Sequence, residues 1–150
     1  MADSPHQPAA VQLLDLGAGL IDVRDLVRTC ATAAGLPPAR VAEIVLAAHE
    51  IAVNALTHGH GEGSVRLWND GDELVCEIED HGPGIADSRA GLLPPDPTRS
   101  HGRGLWIARQ LCEAVEIESA DPGARVRLHV QLSPDGDARY NPSAAASQRA

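Results

Sequence analysis

The stretch that decides the fold spans residues 38–57 and reads PARVAEIVLAAHEIAVNALT. Apolar residues recur along it three and four positions apart, the spacing that gathers them on one face of an α-helix. Pro38 is tolerated because it falls in the first helical turn. We therefore expect a helix over 38–57 with an Ala-rich face that can lie close to a sheet. That face consists of Val41, Ile44, Val45, Ala48, Ile51, Ala52 and Ala55.

The segments on either side predict two further helices and five strands. Helical spacing of apolar residues recurs over 20–34, where Gly35 follows, and over 104–114. Residues 69–72 read Asn-Asp-Gly-Asp, a strong hairpin signal. Strands connected as hairpins predict an α+β two-layer sandwich, with a mixed, mostly antiparallel sheet and helices on one face. The predicted strands cover 11–16, 65–68, 74–78, 115–119 and 125–132.

The 150 residues are short enough for a single domain. We expect that domain to cover 11–132, between a flexible N-terminus over 1–10 and a disordered tail over 133–150. Residues 81–101 hold three Gly and four Pro. A loop of this length is usually a functional lid or disordered, and we place a lid at about 86–101.

Composition excludes several functional classes. The net charge of −9 and the lack of a dense basic run argue against nucleic acid as a partner. No run of 18 apolar residues is present, so no membrane span is predicted, and the start does not resemble a secretory signal. Cys30, Cys76 and Cys112 are odd in number and widely spaced. We interpret them as reduced, buried thiols of a cytoplasmic protein.

The first chemical motif lies in the second helix, at Glu50-Ile-Ala-Val-Asn54. Spacing of four residues places Glu50 and Asn54 on one helix face, and His58 extends that face by a turn. An amide oxygen can bind Mg²⁺, which commonly bridges ATP phosphates. Glu50 could polarise a hydroxyl or a water aimed at the γ-phosphate. A surface glutamate and a capping asparagine would also fit this motif taken alone.

The second motif follows a predicted strand and reads Glu79-Asp-His-Gly-Pro-Gly-Ile85. Asp80 could accept a hydrogen bond from the exocyclic amine of adenine. Gly82 and Gly84 would let a base approach the backbone, because they lack Cβ atoms. An ordinary turn is the alternative for this motif alone.

The third motif, Ser100-His-Gly-Arg-Gly-Leu105, opens the third helix. Free backbone N–H groups at a helix start form an anion site, and glycines let phosphates approach it. Arg103 adds a positive charge. Alone, the motif could equally be a flexible hinge at the end of a loop.

Two metal-site readings are disfavoured. His49-Glu50 lacks the second histidine of a zincin motif, because Val53 holds that position. His58, His60 and His101 have no cysteine or carboxylate at a ligand spacing, and such histidines are more often solvated.

In this order, the three motifs resemble those of the GHKL superfamily, which groups gyrase, the heat-shock chaperone of ninety kilodaltons, histidine kinases and MutL-type proteins. Residues 50–55 look like its N-box, 79–85 like its first glycine box and 102–105 like its second. The resemblance covers roughly 11–132. It implies the Bergerat fold, a histidine-kinase-like ATP-binding domain with a lid over the nucleotide.

Within this superfamily, the chain looks most like the bacterial anti-sigma-factor serine/threonine kinases. The stretch His-Gly-His-Gly over 58–61 and GRGLWIARQLC over 102–112 carry that resemblance. It implies a cytoplasmic kinase that binds ATP and Mg²⁺, sequesters a sigma factor and phosphorylates an anti-anti-sigma protein of the STAS type. A homodimer would also fit the resemblance.

The resemblance also implies roles for individual residues. Glu50 would be the catalytic base, Asn54 would hold Mg²⁺, and Arg24 would meet the protein partner. The lid lacks the Thr-Thr-Lys type of stretch seen in such kinases. This favours, as one alternative, a non-catalytic nucleotide-binding module that sequesters a partner. A detached catalytic domain of a histidine kinase is a further alternative. The nucleotide would be held by Asn54, His58, Asp80, Gly82, Gly84, Ile85, Gly102, Arg103, Gly104 and Leu105.

Overall fold

The structure is a computed structural model that describes residues 11–58, 62–83, 91–92, 103–119 and 122–132. The predicted N-terminal segment and tail, and most of the predicted lid, lie outside these residues. The described helices are α1 (Leu20–Ala33), α2 (Pro38–His58) and α3 (Arg103–Leu111). The described strands are β1 (Gln12–Asp15), β2 (Gly63–Asp70), β3 (Glu73–Asp80), β4 (Ala114–Ser119) and β5 (Ala124–Gln131).

The five strands form one sheet in the order β1-β2-β3-β5-β4, and each neighbouring pair is antiparallel. Alternate residues of the strands join side chains from all three helices in a single apolar core. Since successive strand residues point to opposite faces, the helices must cover the same face of the sheet. The predicted α+β two-layer sandwich is therefore confirmed.

The helix α2 is the centre of the core. Its buried positions include the whole predicted apolar face, together with Ala47 and Arg40. It lies against α1 on one side and α3 on the other, and it packs on β3 and β5 below. None of the described helices is long and apolar enough to cross a membrane.

The third helix is shorter than predicted. It ends at Leu111 rather than at residue 114, because Ala114 already pairs with His129 as the first residue of β4. Leu16 was also misassigned: it lies in a 3₁₀ turn, Leu16–Ala18, rather than in β1. The carboxylate of Asp15 starts this turn by accepting the backbone N–H of Gly17 at 2.7 Å.

The opposite face of the sheet carries a ladder of alternating charges. Arg127 on β5 donates from Nε to Glu77 on β3 at 2.7 Å, and Arg125 lies 3.3 Å from Glu79 in the neighbouring row. Glu118 on β4 approaches both arginines, at 3.4 and 3.6 Å. The long side chains cover one another so well that Glu77 is only 5% exposed.

All three cysteines are free thiols. Cys76 on β3 and Cys112 after α3 are buried, whereas Cys30 on α1 is half-buried. Burial raises the pKa of the Cys112 thiol to about 12, and it raises the pKa of Cys76 further. These thiols are therefore neutral and poorly nucleophilic at physiological pH.

Candidate functional site

The first and third motifs meet where α3 begins. Gly104 is buried, and a Cβ built on it would lie 3.1 Å from Nδ2 of Asn54. The same Cβ would stand 3.3 Å from both the Cβ and the backbone oxygen of Glu50. A side chain at position 104 would therefore crowd both Glu50 and Asn54. The start of α3, where the first backbone N–H groups have no partner within the helix, lies against Glu50 and the amide of Asn54.

The second motif begins at the end of β3. Asp80 is the last residue of that strand, and its Oδ1 accepts the backbone N–H of Gly82 at 2.9 Å. This bond turns the chain immediately after the strand, as Asp side chains commonly do. Gly82 is buried, and both residues lie at the edge of the sheet where β3 ends. Gly84 and Ile85 lie outside the described residues.

Two glycines that the sequence interpretation did not assign to the site flank Asp80. Gly63 pairs with Asp80 from β2, and its added Cβ would lie 2.1 Å from the backbone oxygen of Glu79. Gly123, just before β5, has a φ of +110°, and its added Cβ would lie 1.9 Å from the oxygen of Asp80. Both approaches require glycine. The sequence showed them only as turn residues, because their contact partners lie far away along the chain.

The other residues predicted for the functional site lie at different places in the fold. His58 is exposed at the end of α2, and Arg103 is exposed at the first residue of α3. Leu105 is buried in the apolar core, so its side chain supports α3 from below. Arg24 lies half-buried on α1. Gly102 lies outside the described residues.

Part of the predicted lid touches α3. Gly91 has a φ of +82°, and its added Cβ would lie 2.6–2.8 Å from backbone and side-chain atoms of Leu105 and the nitrogen of Trp106. Only a glycine can bring the chain this close to the helix. The neighbouring Leu92 is 55% exposed.

A further residue missed from the sequence is Arg40, in the first turn of α2. It is 7% exposed, although arginine is rarely buried without partners. Its guanidinium group donates to the backbone oxygen of Leu111, to Glu43 at 2.9 Å and to both oxygens of Glu113 at 2.9 and 3.0 Å. The only sequence signal was a basic residue one turn before Ile44 on the apolar stripe.

The described residues contain no group of three or more His, Cys, Asp or Glu side chains that could hold a metal ion. At this point of α2, Glu50 and Asn54 are two side chains with oxygen atoms that could bind a metal ion. This set suits Mg²⁺, which usually takes one or two protein ligands and completes its shell with phosphate oxygens and water.

A family model described as the histidine kinase-like ATPase domain matches residues 17–130. Anti-sigma F factors from Thermoanaerobacter sp. (strain X514) and Thermoanaerobacter pseudethanolicus are each 28% identical over 116 residues. Each match covers 70% of this chain and 81% of the relative.

Solved structures share the fold. The RsbU and RsbW domains of Rv1364c from Mycobacterium tuberculosis give a TM-score of 0.61 at 21% identity over 83% of this chain, which spans 33% of that longer protein. The catalytic domain of histidine kinase ThkA gives 0.57 at 13% identity, covering 85% of this chain and 99% of that one.

The motifs, the fold and the family match therefore agree. The family match spans α1, α2, the whole of β2 to β4 and all but the last residue of β5, so it includes every residue assigned above to the candidate nucleotide site. Membership implies ATP binding, and the chain belongs to the family of histidine kinase-like ATPase domains.

Proposed function

We propose that this protein binds ATP with Mg²⁺ and acts as an anti-sigma factor with protein serine/threonine kinase activity. One observation carries the proposal: the start of α3 lies against Glu50 and Asn54 of α2, as the distances from Gly104 show. The proposed phosphate-binding N–H groups of α3 would then lie beside the metal ligand and the general base that we propose on α2.

The nucleotide would extend from Asp80, at the end of β3, to the start of α3. Asp80 would accept a hydrogen bond from the adenine amine, with Gly82, Gly84 and Ile85 forming the wall of the pocket. The hydrogen bond from Gly82 N–H orients the Asp80 carboxylate through Oδ1, so that Oδ2 would be available to accept from adenine. Residues 102–105 would bind the phosphates through α3, and His58 would border the pocket at the end of α2.

Phosphoryl transfer needs positioning and charge stabilisation more than covalent chemistry from the protein. Mg²⁺, when bound, would neutralise charge on the phosphates. The amide oxygen of Asn54 would hold the metal. Glu50, one helical turn away, would accept the proton of the attacking hydroxyl of a serine or threonine. Arg103 would add a positive charge beside the phosphates.

The similarity to anti-sigma F factors supports the choice of protein partners. We propose a sigma factor as the sequestered partner and a STAS-type anti-anti-sigma protein as the substrate, in the cytoplasm. Arg24 would contact the partner from α1. It forms no salt bridge with any described residue, whereas Arg28 one turn later pairs with Asp25 at 3.0 Å. A homodimer is compatible with this proposal.

Thermal unfolding with and without Mg-ATP tests the nucleotide site, since a ligand that binds only the folded state raises the midpoint. We expect a rise in the wild type that is lost in Asn54→Ala and Asp80→Asn. Asn69→Ala and Asp70→Asn are matched controls, because both residues are exposed at the far end of β2. No rise at millimolar ATP in the wild type would refute nucleotide binding.

Phosphate transfer from labelled ATP to a STAS-type protein of the same genome tests the enzyme activity. Glu50→Ala should keep the Mg-ATP midpoint shift and lose the transfer. Undiminished transfer by this variant would eliminate Glu50 as the base. ATP binding without transfer by the wild type, together with capture of the sigma factor, would instead establish a non-catalytic sequestering module.

A further inference from the structure

The two ends of α3 are held by different residues of α2. Gly104 at its start lies against Glu50 and Asn54, while the oxygen of Leu111 at its end accepts a hydrogen bond from Arg40. The two helices therefore run antiparallel, side by side. Arg40 and Glu50 lie ten residues apart in the sequence, which corresponds to about 15 Å along α2.

Arg40 holds the end of α3 through hydrogen bonds. It satisfies a carbonyl group that the end of α3 leaves without a helical partner, and its positive charge complements the helix dipole there. It also donates to both carboxylate oxygens of Glu113, two residues beyond the helix. Bidentate arginine–carboxylate pairs fix direction as well as distance.

Glu113 extends this attachment to the sheet. Its Oε2 also accepts the backbone N–H of Gln131 at the end of β5, at 3.0 Å. The guanidinium group of Arg40 additionally binds Glu43 on its own helix, which orients the side chain. The end of α3 is thus tied to α2 and β5 through one buried cation.

The short helix makes this attachment important for the site. From Gly104 to Leu111 the backbone rises only about 10 Å, so a tilt of about 10° at the Arg40 end moves the other end by roughly 2 Å. Binding sites need their groups held within about 0.5 Å. A small movement at Leu111 therefore changes the position of the N–H groups beside Asn54.

We propose that Arg40 is a positioning residue: it sets the place of the phosphate-binding start of α3 from the opposite end of the helix. This inference depends on the proposed nucleotide site. Arg40 would not touch the nucleotide, and its effect would be confined to the phosphates. The adenine end of the site, at Asp80, belongs to β3 and does not depend on α3.

Titration calorimetry of Arg40→Gln with Mg-ATP and with adenosine tests the proposal. We expect the dissociation constant for Mg-ATP to rise about tenfold or more, with that for adenosine within about twofold of the wild type. Arg40→Lys should give an intermediate constant for Mg-ATP, because lysine keeps the charge but lacks the bidentate fork. Arg127→Gln is the control, since it breaks a similar pair, with Glu77, on the other face of the sheet.

If Arg40→Gln does not fold, Glu113→Gln serves instead, because the side chain of Glu113 is 42% exposed and Arg40 keeps its bonds to Glu43 and Leu111. The same selective loss of Mg-ATP affinity is expected. An unchanged Mg-ATP constant, or equal losses for Mg-ATP and adenosine, would overturn the positioning role while leaving the nucleotide site intact. A wild type that binds neither compound would overturn the proposed function, and this inference with it.

Discussion

A Cβ atom added to Gly104 would lie 3.1 Å from the amide nitrogen of Asn54, so α3 approaches α2 as closely as its backbone permits. The Cβ and the backbone oxygen of Glu50, one turn earlier on α2, would each lie 3.3 Å from the same added atom. A side chain at position 104 would be crowded between the helices, because its Cβ would lie within 3.3 Å of both residues. The absence of a side chain therefore matters as much to the candidate site as the polar groups that surround it.

Gly104→Ala should weaken nucleotide binding more than it changes stability. The new methyl group would force the amide of Asn54 to shift by a few tenths of an ångström, because the oxygen of Glu50 on the other side is backbone. Alanine favours a helix by about 0.5–1 kcal/mol over glycine, which offsets part of the crowding. Urea unfolding and Mg-ATP calorimetry measure the two effects. An unchanged Mg-ATP constant would show that this contact does not define the site.

Gly123→Ala should destabilise the fold strongly, by about 3 kcal/mol. Its Cβ would collide with the backbone of Asp80, and its positive φ disfavours any side chain. Gly71→Ala is the matched control: it also has a positive φ, but nothing lies within 4 Å of the added atom. The control should lose only about 1–2 kcal/mol. Equal losses in urea unfolding would mean that the close approach to Asp80 carries no cost.

Sequence patterns predicted the features that depend on residues close together in the chain. Periodicity gave the three helices and five strands, and spacing of four placed Glu50 and Asn54 on one face of α2. Patterns could not show contacts between distant segments. Arg40 with Glu113, and Gly123 with Asp80, are each more than 40 residues apart, so their role appears only once the sheet and helices are assembled. The end of α3 was missed for a similar reason, since Ala114 is drawn into β4 by its pairing with β5.

Stability should fall above pH 9 because two thiols are buried. Burial raises the pKa of Cys112 from its ordinary value of 9.0 to about 12, and it raises that of Cys76 as well. The unfolded chain releases these protons first, so the stabilisation is complete below pH 9 and is lost as pH rises through the folded values. Urea unfolding between about pH 8 and about pH 10.5 measures this decline. Cys112→Ala should decline less steeply; an identical decline would assign the effect to other groups.

Glu77→Ala should cost far more stability than Glu118→Ala, although both glutamates bind the same two arginines. Glu77 is 5% exposed and accepts from Arg127 at 2.7 Å. Its removal leaves a partly buried guanidinium group without its shortest bond, at a cost of about 2–3 kcal/mol. The side chain of Glu118 is 49% exposed and approaches those arginines only at 3.4 and 3.6 Å. Solvent screening limits its contribution to about 0.5 kcal/mol.

Unfolding free energies from urea titrations, with Arg127→Ala completing a double-mutant cycle, would isolate the Glu77 pair. Similar losses for the two glutamates would show that the covered position of Glu77 does not strengthen its pairing.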